Sequence, residues 1–262
     1  MPEVTYERRG VAVVLTIDRP ERRNAVDPAT ADQLLEGYRS FEADDDARVL
    51  VLTGSGDQAF CAGADLKSAA AALTDEGIAK QWLAPRPHGP LGFTRLAASK
   101  PTIAAISGYA LAGGLELALW CDLRVGTETA RLGFPERRWG VPLIDGGTQR
   151  LPRIVGMGRA LDMILSGRIV ESDEALAIGL LTEIVPPGKH LDRALEMAEG
   201  LASFPQETML ADRRSALEGF GLPLADGLTL EAEIGGAVPG LGVEGAARFA
   251  GGEGRGGEGA GV

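Results

Sequence analysis

Lys100-Pro-Thr-Ile-Ala-Ala-Ile-Ser-Gly-Tyr-Ala-Leu-Ala-Gly-Gly-Leu-Glu-Leu117 joins three kinds of local structure end to end. Residues 102–106 are apolar and β-prone and read as a strand. Residues 108–114 are rich in glycine and alanine and read as a loop. Leu115-Glu-Leu-Ala-Leu-Trp120 follows as an apolar helix. The Gly113-Gly114 pair leaves the first N–H groups of that helix uncovered, and helix N-termini concentrate unpaired donors and partial positive charge. Such a turn serves one of two ends. It holds a developing oxyanion, or it lets another segment pack where a side chain would intrude.

The same theme recurs on either side. A β-rich run at 49–53 leads to Cys61-Ala-Gly-Ala-Asp65, and one at 123–125 leads towards Gly133-Phe-Pro-Glu136. This repetition predicts an α/β fold of successive strand–loop–helix turns stacked on one another, with the loops gathered on one side. Upstream, residues 11–17 form another strand candidate. Residues 28–43 carry Ala31, Leu34, Leu35, Tyr38 and Phe41 at helical spacing, with Asp27 as N-cap and Pro28 at the first helical position. From about Asp145 the pattern turns helical. The expected organisation is a core over 1–190, a helical region over 191–250 and a flexible glycine-rich tail over 251–262.

With 45% apolar residues in 262, the chain can bury a substantial core. Its 26 Lys and Arg against 37 Asp and Glu give a net charge of -11, which opposes attraction to nucleic acid and to anionic membranes. Neither is an expected partner. Arg8, Arg9, Arg19, Arg22 and Arg23 keep the first part of the chain locally basic, which suits a small anionic ligand. Cys61 and Cys121 are neither pair-spaced nor near a His, so no disulfide framework and no metal site is expected. The start of the chain lacks the apolar run of a signal peptide. A cytoplasmic, soluble protein is the expectation.

Candidate chemistry lies in the loops. Glu116, between Leu115 and Leu117, is either a capping residue in the first helical turn or an acid–base group whose apolar surroundings raise its proton affinity. Asp65 reads as the N-cap of a helix over 66–73, and Cys61 as a buried hydrophobe rather than a nucleophile. Glu136 precedes Arg137 and Arg138; it is either half of a surface ion pair or a second carboxylate opposite Glu116, able to add or remove water across a double bond. Gly54-Ser-Gly-Asp-Gln-Ala59 fits a dinucleotide-loop pattern, but no phosphate-binding helix follows it.

Taken together, Arg19-Pro-Glu-Arg-Arg-Asn-Ala25, Ala59-Phe-Cys-Ala-Gly-Ala-Asp-Leu66, the 100–117 stretch, Cys121-Asp122 and Gly147-Thr-Gln-Arg-Leu-Pro152 resemble the enoyl-CoA hydratase/isomerase family, the crotonase superfamily. The resemblance runs from about residue 4 to about residue 249. It implies a spiral of ββα turns with a C-terminal helical trimerisation region, assembled as a homotrimer or as two stacked trimers. It also implies an acyl-CoA substrate, with no cofactor beyond the coenzyme A that the substrate carries.

Carried onto this chain, the family pattern makes the N–H groups of Ala64 and Gly113 an oxyanion hole for a thioester carbonyl. Glu116 and Glu136 match the two catalytic glutamates of hydratases. Asn24, Ala25, Ala62, Gly63, Asp65, Leu66, Tyr109, Leu111 and Pro135 match segments around the substrate and its coenzyme A. Isomerases of the family generally keep one of the two glutamates, so both being present favours hydration. Asp145 departs from the small residues usual in hydratases and matches an aspartate used by dienoyl-CoA isomerases and aroyl-CoA dehalogenases. It takes part in chemistry or caps the following helix. Arg137, Arg138 and Trp139 are bulkier than usual and are expected to reshape the acyl pocket.

Overall fold

A computed structural model of the chain describes residues 2–252. In chain order its elements begin with β1 (Val4–Arg9), β2 (Ala12–Ile17), α1 (Pro28–Ala43), β3 (Val49–Gly54), β4 (Ala59–Cys61), α2 (Leu66–Ala71) and α3 (Glu76–Leu83). There follow β5 (Thr102–Ile106), β6 (Tyr109–Leu111), α4 (Gly113–Trp120), β7 (Leu123–Thr127), β8 (Arg131–Gly133), α5 (Gly147–Val155) and α6 (Met157–Ser166). The chain continues through β9 (Ile169–Glu171), α7 (Ser172–Ala177), β10 (Glu183–Val185), α8 (His190–Ser203), α9 (Gln206–Gly219), α10 (Leu224–Gly236) and α11 (Pro239–Ala250).

Two sheets organise the first compact unit, which ends at Ala198. One runs in the order β1-β2-β3-β5-β7-β10, parallel from β2 to β10 with β1 antiparallel at its edge. β3 and β5 are buried along their whole length, as expected of parallel strands covered on both faces. The other runs β4-β6-β8-β9 and is built of three-residue strands. Each spiral turn therefore gives one strand to each sheet: β3 and β4, β5 and β6, β7 and β8. The register Cys61↔Ala110 and Leu111↔Gly133 sets the ends of β4, β6 and β8 side by side. That alignment brings the three small-residue loops together.

The sequence expectation of helix alone after residue 145 is corrected by β9 and β10, which complete the two sheets. Three residues are too few for a period of two to stand out. β1 was likewise unmarked, because five of its six residues face solvent. The helix at 28–43 lies where its spacing places it, and Asp27 accepts the Thr30 N–H at 2.9 Å.

Asn24 holds the entry to this scaffold. Left-handed at φ 53 and 55, the exposed Arg23 and the fully buried Asn24 turn the chain after β2. The Asn24 amide donates to the carbonyls of Ser55 at 3.0 Å and Ala59 at 2.7 Å, and its oxygen accepts the Arg19 N–H at 3.0 Å. Asn24→Ala removes the partner of three backbone groups, two of them in buried bonds, and is expected to lower stability by about 2 kcal/mol. A denaturant midpoint unchanged from wild type would contradict this.

The second unit begins at Glu199, inside α8. There α9 packs against α10. Leu217, Phe220, Leu222, Leu224 and Leu228 are exposed, and Ile234 is buried. Of the expected tail, residues 253–262 lie outside the described residues. No helix among the described residues is long and apolar enough to cross a membrane.

Candidate active site

The aligned loops open onto a cavity of about 570 Å³ in the first unit. Ala62 and Ala64 line it from the loop after β4, Leu66 from the start of α2, and Leu111, Gly113 and Glu116 from β6 and α4. Pro135, Glu136 and Asp145 close the far side. Its walls are otherwise largely apolar, with Trp82, Leu91, Trp139 and Leu143 among them.

The two loops that carry Ala64 and Gly113 are in contact. A Cβ added at Gly63, whose φ is +92, would fall 2.9 Å from the Gly113 nitrogen and 3.0 Å from the Leu111 carbonyl oxygen. Only glycine permits this approach. Neither the Ala64 nor the Gly113 N–H donates a backbone hydrogen bond among the described residues. Both lie on the cavity, with Gly113 at the first position of α4, where the helix leaves its donors free. Ala112 before it adopts φ 51 and ψ -126, a conformation that costs a non-glycine residue about 1 to 3 kcal/mol. Nothing in the residue type announced that strain, which turns the helix start towards the cavity.

Glu116 is 2% exposed. Its Oε1 accepts the backbone N–H groups of Asp145 at 2.9 Å and Gly147 at 2.7 Å, so it does not cap its own helix. Burial pushes its carboxyl up to about 7, opposed by the Gly147 N–H and reinforced by the charge of Asp145. The group therefore changes protonation near neutral pH.

Glu136 sits in a short 3-10 turn, Pro135–Trp139, that directs it inward and leaves Arg137 and Arg138 exposed. The surface ion pair open to it in the sequence does not form. Both of its carboxylate oxygens are buried without a hydrogen-bond partner, and burial raises its proton affinity. Trp139 joins the cavity wall, whereas Arg137 turns away and donates to the Ile164 carbonyl at 3.4 Å.

Asp145 is not the cap of the following helix. Gly146 occupies the N-cap of α5, and the Asp145 Oδ1 accepts the Leu91 N–H at 3.1 Å and the Thr94 hydroxyl. Burial raises its proton affinity against those two donors.

Four other expected positions stand behind the cavity. Asp65 caps α2 by accepting the Lys67 and Ser68 N–H groups at 3.1 and 3.0 Å, and it pairs with buried Arg19 at 3.3 Å. Arg19 also donates to the Ala25 carbonyl and pairs with Asp27 at 3.0 Å. Asn24 and Ala25 thus shape the loop from behind. Tyr109 is 37% exposed beneath the Arg23 guanidinium, 5.5 Å from its ring centre, and does not line the cavity. Cys61 is buried with its thiol pushed up to about 12 by burial, which suits a packing residue. Among the described residues, no three His, Cys, Asp or Glu side chains are grouped to hold a metal ion.

The family model described as enoyl-CoA hydratase/isomerase matches residues 7–237. The chain belongs to that family. It is 37% identical over 229 residues to a protein named probable enoyl-CoA hydratase from Rhizobium meliloti, covering 87% of this chain and 86% of that protein. It is 36% identical over 225 residues to the (E)-benzylidenesuccinyl-CoA hydratase of Thauera aromatica, covering 86% of each. A crystal structure of an enoyl-CoA hydratase from Mycobacterium tuberculosis superposes with a TM-score of 0.85 at 33% identity, covering 95% of this chain and 96% of that one. This enoyl-CoA hydratase/isomerase family member thus has the crotonase fold, two sheets with helices wound around a common spiral.

Proposed function

We propose that the protein is an enoyl-CoA hydratase, a hydro-lyase adding water reversibly across the double bond of a trans-2-enoyl-CoA thioester. The observation that carries this is the meeting of two buried glutamates, Glu116 and Glu136, on the cavity that Ala64 and Gly113 also line. The free N–H groups of Ala64 and Gly113 donate to the thioester oxygen as it gains enolate charge, each contributing about 3 to 4 kcal/mol to the transition state. One glutamate takes the proton of the attacking water as its oxygen bonds the β-carbon. The other delivers a proton to the α-carbon. A positioned acid or base of this kind adds about 10²- to 10⁴-fold. Coenzyme A enters with the substrate, and the scheme needs no other cofactor. We also propose self-association as a trimer or a pair of stacked trimers, to be checked by sedimentation.

Asp145 on the same cavity favours one second reading, double-bond isomerisation of an enoyl- or dienoyl-CoA. Incubation with crotonyl-CoA separates the two. Hydration removes the conjugated absorbance and yields a thioester heavier by one water, whereas isomerisation leaves the mass unchanged. A wild-type protein that binds crotonyl-CoA and longer enoyl-CoA thioesters yet turns none over would defeat both.

A further inference from the structure

Asp145 is tied to more of the cavity than its place before α5 requires. Its main chain holds Glu116, donating to Oε1 at 2.9 Å beside the Gly147 N–H at 2.7 Å. Its side chain holds a different segment, accepting the Leu91 N–H at 3.1 Å and the Thr94 hydroxyl. Arg150 braces both from α5, donating to the Asp145 carbonyl at 2.8 Å and to the Thr94 carbonyl. Leu91, fixed in this way, roofs the oxyanion position: a Cβ added at Gly113 would fall 2.6 Å from Leu91 Cδ1. One buried residue therefore connects the glutamate on one wall to the roof over the thioester donors.

Three charged groups act on Glu116. Asp145 faces it from the turn before α5, Glu136 from the 3-10 turn after β8, and Arg150 from α5 itself. Arg95, following Thr94, stands on the Asp145 side. A carboxylate beside a second carboxylate makes the second harder to ionise, while N–H donors and cations act the other way.

We propose that Asp145 is a positioning residue of this site that locks Glu116 and the Leu91–Thr94 turn into one unit. When ionised, its carboxylate, carried on the residue whose N–H meets Oε1, opposes ionisation of Glu116. In this role it is an anchor and not a helix cap, since Oδ1 is engaged by the segment it holds. The effect on turnover rests on the hydration proposed above. The link between the two carboxylates does not.

The test is a carbon-13 NMR titration of the glutamate carboxyl groups, with the Glu116 signal assigned by its loss in Glu116→Gln. Asp145→Asn keeps an acceptor for Leu91 and Thr94 but removes the charge, and the Glu116 midpoint is expected to fall by about one pH unit. Thr94→Val leaves the carboxylate but strips a donor from it, making Asp145 harder to ionise. The Glu116 midpoint then moves the same way by less, even where Asp145→Asn folds poorly. Midpoints equal to wild type in either folded variant would overturn the proposal. In the hydration assay the corresponding limb of kcat/KM shifts with the midpoint, and Asp145→Ala, which also loses the anchor, drops kcat about tenfold more than Asp145→Asn. A wild type inert towards enoyl-CoA thioesters with the NMR shift present defeats the hydratase proposal and leaves the Asp145 link standing. An active wild type with unmoved midpoints does the reverse.

Discussion

Glu116→Gln is expected to lower kcat for hydration by about 10²- to 10⁴-fold with KM little changed. The amide keeps an oxygen where Oε1 accepts the Asp145 and Gly147 N–H groups, so the turn before α5 stays in place. What it loses is the ability to exchange a proton. Because burial raises the wild-type carboxyl from 4.5 to about 7, one limb of the kcat/KM profile has its midpoint near neutrality, and that limb disappears in the variant. Stability carries the same signature. A carboxyl whose proton affinity is raised on folding keeps its proton in the native state while the unfolded chain releases it. Wild-type stability therefore falls as pH rises from 4.5 to about 7 and then levels. The fall amounts to about 2 to 3 kcal/mol from this group. Urea unfolding of both proteins at pH 5 and pH 8 reads it as a pH-dependent loss that is smaller by this amount in Glu116→Gln. Equal pH dependence in the two, or activity within tenfold of wild type, would count against Glu116 as the titrating group.

Local sequence carried the scaffold further than the site. The helix after Asp27 was legible because its cap, its proline and its apolar spacing agree, and they act within one element. The strand–loop–helix repetition was legible for the same reason. β9 and β10 were not, since three-residue strands exist by pairing with β8 and β7 rather than by their own pattern. At the site, the residues were visible and their partners were not. Glu116 sits at a position typical of a helix cap, yet the donors that satisfy it come from Asp145 and Gly147, about thirty residues on. Asp145 sits one residue before an N-cap, and its carboxylate turns instead to Leu91 and Thr94. Glu136 has two arginines beside it in sequence and forms an ion pair with neither, because the 3-10 turn directs it inward and leaves them exposed. Family resemblance found these residues; only the fold shows what holds each one.

Glu136→Met is expected to raise stability by about 1 to 3 kcal/mol while lowering hydration by two orders of magnitude or more. Elsewhere in the first unit, buried polar side chains such as Asn24, Asp65 and Glu116 are bonded, and their removal leaves partners stranded. Glu136 differs, being 5% exposed with neither oxygen satisfied. Its removal strands nothing. A thioether of similar length fills the same space without the desolvation cost of a carboxyl group. The gain grows with pH above the ordinary carboxylate value of 4.5, because the wild type must then either hold a proton that the unfolded chain has released or bury a charge. Glu136→Gln separates shape from polarity, since its amide is as unsatisfied as the acid; it loses activity without the gain in stability. Thermal unfolding of the three proteins beside the crotonyl-CoA assay gives the comparison. A destabilised Glu136→Met would mean that the glutamate contributes to the fold. A stabilised and inactive one would mean that an unsatisfied acid is retained against the interest of stability, as expected of a group whose partner is the substrate.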